Sequence, residues 1–367
     1  MPVRQRLWQE LDMLCRLGLG LAPIAPDVCA LLRALVGADA AALFWMDGNG
    51  QPAGFHHEDS PASVRNLFLN EPHLFMGAGE TNIPALAQPD GPCTGRLLAP
   101  GAQYFRSNSY NLLVRANGHH HTLDLRVEAL GRTRAVVGLF RPPGPGFSDA
   151  QAALLERAGA SLARAFLPGA AAPGSTAAQA TGHVLLDADG QRPALADATA
   201  LQLLQNAHLP GLGLYGASTA DLPADLLHRL RLQPDGQRQI PVPDGVLHVQ
   251  AHPLHPLHLL HPVAEGALQW LVTLCLQRLP QIDVVRRVQK LPLTPLQREI
   301  AVTAGLGHAR TDCAALTGIG HALLKKQLRT ILEVAGVSDW EELAGRLQGK
   351  NSTNSAFSSY AESANSY

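Results

Sequence analysis

The sequence predicts a multidomain chain: two α+β domains in series, followed by an all-α module of four helices. Three observations carry this. An uncharged, Ala-, Gly- and Pro-rich stretch from Pro168 to Thr181 has no hydrophobic periodicity and reads as a linker. On each side of it, short apolar runs bounded by turn residues alternate with capped amphipathic stretches. From Pro280 onward the periodicity is helical alone.

The elements follow in order. Leu7, Leu11 and Leu14 recur at helical spacing, and Val28, Leu31, Leu32 and Leu35 mark a second helix. Ala41 to Met46 is a strand stopped by Asp47-Gly48-Asn49-Gly50. In Thr122 to Ala129, Leu123, Leu125, Val127 and Ala129 alternate with Thr122, Asp124, Arg126 and Glu128, the pattern of a half-buried strand. Ala135 to Phe140 is apolar on both faces and reads as central. Ser148-x-x-Gln151 opens a long helix with a capping box. After the linker, Val184 to Leu186 is a strand, Ala196 to Ala207 a helix, and Asp244-Gly245 a hairpin signal between Ile240–Val242 and Val246–Ala251. Leu268 to Leu276 is the last strand.

The C-terminal module opens with a connecting helix carrying Ile282, Val285 and Val288. Thr294, Pro295 and Gln297 then form a capping box, and Gly305-Leu306-Gly307 ends that helix. Thr311 caps a short helix, Asp312 to Thr317, stopped near Gly318. The next helix places Leu324, Leu328, Ile331, Leu332 and Ala335 on one face and Lys325, Lys326 and Arg329 towards the other, with Gln327 at the border. Ser338 caps a last helix with Leu343 and Leu347. The domain bounds are therefore 1–167, linker 168–181, 182–279 and 280–350. The Ser- and Asn-rich residues 351–367 read as a disordered tail.

The formal net charge is −1, which excludes a uniformly basic nucleic-acid binder. Arg286 to Lys350 nevertheless holds ten Lys/Arg against six Asp/Glu, a local +4 against −5 for the rest. That asymmetry suits a small DNA-reading head on a neutral body. The five cysteines are scattered and form no Cys-x-x-Cys pair, as expected in a reducing compartment. Arg4, Glu10 and Asp12 interrupt any signal-peptide core, and no apolar run approaches the roughly 20 residues of a membrane helix. The expectation is a cytoplasmic protein with no membrane contact. No P-loop, nucleophile elbow, zinc-protease or dinucleotide motif is present, so neither an enzyme nor a cofactor is expected.

Leu293-Thr294-Pro295-Leu296-Gln297-Arg298-Glu299-Ile300, Gly305-Leu306, Gly318-Ile319, Lys325, Leu328-Arg329, Ile331 and Gly336-Val337 resemble, in order and without gaps, the LuxR-type helix-turn-helix. The resemblance implies a four-helix head that binds double-stranded DNA as a homodimer, with RNA polymerase as a further partner. It places Lys325 and Arg329 on the recognition helix and Glu299 in the scaffold. Lys326, Gln327, His321 and Arg310 complete the candidate DNA-binding set, since cations meet phosphates or guanine edges and an amide can pair with adenine. Gly320 stands where that family often has a capping Ser, and Gln327 where it often has His. Gly182-His-Val-Leu-Leu-Asp-Ala-Asp-Gly190 is similar to the opening of a PAS domain. Phe105-Arg-Ser-Asn-Ser-Tyr110-Asn111, the histidines before Thr122, and Phe147-Ser-Asp149 resemble a GAF-like sensor.

Such sensors are implied to hold a small-molecule effector. Phe44, Tyr104, Phe105, Tyr110 and His121 are the candidate lining residues, with plain core packing as the competing reading of each. Two other readings remain. The head can bind protein instead of DNA, or the row His252, His255, His258 and His261, in a Pro-rich polyproline II segment, can serve a metal-responsive regulator.

Overall fold

The computed structural model describes residues 3–75, 77, 80, 83–88, 94–96, 102–169, 178–187, 192–209, 212, 222–233, 236–254 and 269–350. They form two units. One takes in Met1–Leu17, Gly169–Thr176 and Leu279–Tyr367; the other takes in Gly18–Pro168 and Ala177–Arg278. The first helix, α1 (Val3–Cys15), thus belongs with the C-terminal helices and not with the first sheet domain, which corrects the 1–167 boundary.

In the larger unit, α2 (Ala25–Val36) has Pro26 in its first turn and ends at Gly37 in the left-handed region. Strand β1 (Ala40–Met46) stops at Asp47 as expected and pairs in a hairpin with β2 (Pro52–His57), a strand not expected from the sequence. Two short helices, α3 (Ala62–Asn70) and α4 (Ile83–Leu86), precede β3 (Thr94–Arg96). Helical turns span Tyr104–Arg106, Ser109–Val114 and Arg115–Asn117. Strands β4 (His121–Ala129) and β5 (Arg132–Arg141) lead to α5 (Asp149–Arg164), whose Ser148–Gln151 capping box forms as expected. The sheet is antiparallel in the order β2-β1-β5-β4-β3, so Ala135–Phe140 is central.

Both faces of this sheet are covered, which explains why β1 is buried at every position. On one face Leu43, Leu123, Leu125, Val137 and Leu139 are fully buried, and α2 and α5 pack against β1 and β4. Each such leucine contributes about 1.5–3 kcal/mol by leaving water. The opposite face carries Ala42, Phe44, Val136 and Phe140, and also Thr122, Asp124 and Arg126. The polar side of β4 is therefore not a solvent face. Thr122 and Arg126 are buried, and Arg126 donates to the Gln88 carbonyl at 2.5 Å, fixing the segment after α4 over the sheet.

The second sheet begins with β6 (Ala178–Leu186), so the last four residues assigned to the linker are strand. Their backbone pairs with the end of β10, and small uncharged side chains do not prevent that. Then come β7 (Pro193–Ala196), α6 (Ala198–Ala207, capped by Asp197 rather than starting at Ala196), α7 (Leu226–Arg229), β8 (Gln237–Val242), β9 (Gly245–Leu254) and β10 (Gln269–Arg278). The order is β7-β6-β10-β9-β8. Renumbered within each sheet, both read 2-1-5-4-3. Here one face alone forms the core, with Val184, Val272, Leu274, Val249 and Leu204 packed together.

The helical unit holds α8 (Pro280–Gln289), α9 (Pro295–Gly305), α10 (Arg310–Thr317), α11 (His321–Ala335) and α12 (Trp340–Gln348), with α1. The Thr294–Gln297 capping box forms. Two other caps move: α10 starts after Ala309, ahead of Thr311, and Asp339 rather than Ser338 caps α12. Ser338 instead donates from its backbone and hydroxyl to the Glu342 carboxylate, each at 2.8 Å. On α1, Glu10 faces α9 and accepts from Arg298 at 3.3 Å; Arg298 is 4% exposed. Gln9 donates to the Pro295 carbonyl at 2.6 Å. No described helix is long and apolar enough to cross a membrane.

Candidate functional site

A cavity of about 180 Å³ opens over the mixed face of the first sheet. The strand register explains its shape. One cross-strand row runs His57–Ala42–Gly138–Asp124–Gly95, and its small central residues leave a hollow. A side chain at Gly138 would crowd the Phe140 ring, since a Cβ there would lie 3.1 Å from Phe140 Cζ and 3.5 Å from Asp124 Oδ1. The next row runs Phe55–Phe44–Val136. Above the sheet, α3 and the turns at 72–75 and 104–117 complete the wall.

The two ends differ chemically. At one, Phe44 and Phe55 stack at 5.6 Å, Phe68 meets Phe55 edge-on at 5.0 Å, and Phe75 follows Phe68 at 6.2 Å. At the other, the Tyr104 and Thr122 hydroxyls and His119 Nε2 are buried with no hydrogen-bond partner among the described residues. Tyr104 is 8% exposed and Thr122 5%. Asp124 completes this end, with no ion pair among the described residues. Burial pushes its carboxyl up to about 7; the Thr122 hydroxyl, close but outside hydrogen-bond geometry, draws it back slightly. Burial, with Asp124 and Tyr110 nearby, pushes the Tyr104 phenol well above its usual value.

The histidines of the wall are held neutral. Burial takes His57 down to about 4, helped by His119, and lowers His119 as well. His57 and His119 each stack on Phe140, at 5.2 and 5.3 Å. Arg65, from α3, interacts with His208 Nε2 at 3.3 Å, while His208 Nδ1 lies 3.1 Å from the Phe55 carbonyl. A carbonyl only accepts, so Nδ1 carries the proton and Nε2 accepts from Arg65. Burial, with Arg65 beside it, takes His208 to about 4, consistent with this neutral tautomer. Glu80 accepts from the amides of Asn108 and Ser109 at 2.7 and 2.8 Å. It thereby anchors the turn that carries Ser109 and Asn117 into the wall.

Of the residues expected to line a pocket, Phe44 and Tyr104 do so. Phe105, Tyr110 and His121 do not. Phe105 packs on Tyr104, Tyr110 and His120. The Tyr110 hydroxyl bonds His120 Nδ1 at 2.8 Å, and His121 Nε2 reaches the Gly144 carbonyl at 2.8 Å. The aromatic segment is helical, so its ring faces diverge and only some point inward. Sequence reasoning missed Asp124, Thr122 and His119. The signal was present: Gly138, alone inside an apolar central strand, marks a close approach.

On the helical unit, α10 and α11 are joined by Gly318, Ile319 and Gly320, with Gly318 in the left-handed region. Leu324, Leu328, Ile331 and Ala335 are buried. Lys325, Lys326, Arg329 and His321 are exposed on α11, and Arg310 is exposed on α10. Arg329 pairs with Glu333 at 3.2 Å across an open surface, which contributes little. Gln327 is half-buried, and its amide oxygen accepts from Gln297 Nε2 at 3.0 Å, so it is a scaffold contact as much as a free amide.

The histidine row is largely outside the described residues, as is Cys93. His252 lies exposed on strand β9 and not in a polyproline II turn. Among the described residues no group of three or more His, Cys, Asp or Glu is placed to hold a metal. Cys15, Cys29, Cys275 and Cys313 form no disulfide among the described residues.

No protein-family model matches the chain, and no curated protein matches it. Among solved structures, the sensor region of a sensor histidine kinase is similar over 70% of this chain and 94% of that one, at 15% identity. The TM-score is 0.19, too low to show a shared fold.

Proposed function

We propose that the chain is a transcription regulator in which α11 reads double-stranded DNA and a small-molecule effector occupies the cavity of the first, GAF-like sheet domain. The exposed basic side of α11, a three-residue turn away from α10, carries the DNA reading. Lys325 and Lys326 stand there without a side-chain partner among the described residues, as groups awaiting phosphates or base edges do. The cavity supports the effector half, and the second sheet, with its matching strand order, is the PAS-like partner domain. The LuxR-type resemblance adds a homodimer on a near-palindromic site and contact with RNA polymerase to this proposal, and the scattered cysteines add a cytoplasmic location.

A gel shift against random-site DNA over a salt series tests it. Lys325→Ala, Lys326→Ala and Arg329→Ala should each cost about 1–3 kcal/mol at a base, or reduce the salt slope by about 1 at a phosphate. Unchanged affinity in a folded triple variant would refute the DNA reading. One observation favours the other reading, a protein-binding head: Leu316 and Leu323 are 53% and 42% exposed on α10 and α11. Docking through those leucines would be insensitive to salt and abolished by Leu316→Ser with Leu323→Ser.

A further inference from the structure

The effector cavity has a chemistry more specific than apolar. Its polar end offers a carboxylate, two hydroxyls and an imidazole nitrogen; the hydroxyls and the nitrogen are buried, and no cation among the described residues pairs with the half-buried carboxylate. Arg65, which also lines the cavity, interacts through its guanidinium with His208. Its other end is built of phenylalanines. Water would serve the polar end and leave the aromatic end unfilled. A purely apolar guest would do the reverse, leaving Tyr104, Thr122 and Asp124 desolvated and unpaired. An anion would meet Asp124 as a like charge.

We propose that the cavity takes a single-ring aromatic amine, its ring among Phe44, Phe55 and Phe68 and its ammonium on the Asp124 carboxylate, with Tyr104 and Thr122 as further acceptors. The size agrees. A cavity of 150 Å³ lined by apolar side chains holds benzene, and about 180 Å³ leaves room for one short aminoalkyl arm. The position agrees too. Phe44 and Asp124 share a face on strands two apart and one row out of line, roughly 12 Å at 4.7–4.9 Å per strand and about 3.4 Å per residue. Both side chains line the cavity between those backbone positions. Aromatic rings also favour a cation against their faces.

This inference rests on the effector reading of the cavity, and its test separates the two. Benzylamine, benzyl alcohol and toluene are titrated into the full-length protein and its Asp124→Asn variant, by calorimetry and by melting temperature. Benzylamine should bind at least tenfold more tightly than benzyl alcohol, and the advantage should vanish in Asp124→Asn, which keeps the cavity's shape. The advantage should also grow between pH 6 and 8. The other titratable groups lining the site among the described residues are His57 on β2, Arg65 on α3, Tyr104 on the first turn and His119 before β4, with Tyr110 packed behind Tyr104. Of these, burial takes His57 down to about 4, lowers His119 and pushes Tyr104 well above its ordinary value, so the ionisation of Asp124 sets the trend. Equal binding of alcohol and amine, or an amine advantage surviving in Asp124→Asn, would overturn the amine assignment while leaving an aromatic effector site in place. Binding of none of the three would remove both.

Discussion

Glu10→Ala should destabilise the helical unit although Glu10 lies far in sequence from that unit's C-terminal helices. Arg298 is 4% exposed along its side chain and its Nε has no partner among the described residues; Glu10, 10% exposed, is an anion that answers it at 3.3 Å. At an effective dielectric of about 20 that separation corresponds to roughly 5 kcal/mol of attraction, much of it offset by desolvation. Removing one partner leaves the desolvation uncompensated, and the measured cost of such losses is about 3–5 kcal/mol. Arg6, also on Glu10 at 2.7 Å but 50% exposed, can turn to water and contributes little. For a unit of 60–100 residues, each kcal/mol moves the midpoint by about 4–8 °C, so a drop of more than 10 °C is expected. Hydrogen exchange of α9 and α12 amides reads the loss locally, apart from the sheets. Replacing both partners, Glu10→Leu with Arg298→Met, should recover most of it, because an apolar pair of similar size needs no counter-charge. Unchanged exchange protection of α9 in Glu10→Ala would refute the argument, and with it the placement of α1.

Three further outcomes follow from the packing and the titrating groups. Gly182→Ala should destabilise the second sheet by more than about 1 kcal/mol in a urea melt, because its Cβ would run into the Ala200 backbone at the start of α6. Thr294→Ala should cost about 0.5–2 kcal/mol by releasing the Gln297 amide, seen as faster exchange in the first turn of α9. Asp124 is raised from 3.8 to about 7, so the stability it confers as a neutral acid is complete below pH 4 and lost as pH rises to 7. The loss is on the order of 4 kcal/mol. Asp124→Asn should therefore gain on the wild type across that window. His57 and His208, lowered to about 4, act in the opposite sense as pH falls from 6.5, equally in both proteins. Parallel stability curves for the two proteins from pH 5 to 7.5 would contradict the shift.

What could be read from sequence was what is set locally. The Ser148 and Thr294 caps each need only the residue three positions on, and both boxes form. Ala135–Phe140 announced a central strand because both its faces are apolar. The failures are tertiary. The alternation of β4 correctly separates two faces, but the polar one looks into a cavity whose roof is made by segments between α3 and Asn117. Residues 178–181 have no strand signature and become strand only because β10 pairs with them. Ser338 and Asp339 both suit a cap, and sequence does not choose between them. The common strand order of the two sheets is not visible at all, since hydrogen-bonded neighbours share no composition.

The helical unit joins the first helix of the chain to its last ones, and this bears on biosynthesis. Glu10 and Arg298 are 288 positions apart. At about 5–20 residues per second, α1 waits on the order of tens of seconds before its partner leaves the ribosome. During that interval Leu11 and Leu14, fully buried in the finished protein, have no native surface to cover them. The sheets between can be complete well before the head can close. The cavity of the first sheet domain can thus form before the helical unit does, and Leu11 and Leu14 are the positions at which a chaperone would be expected to engage the nascent chain.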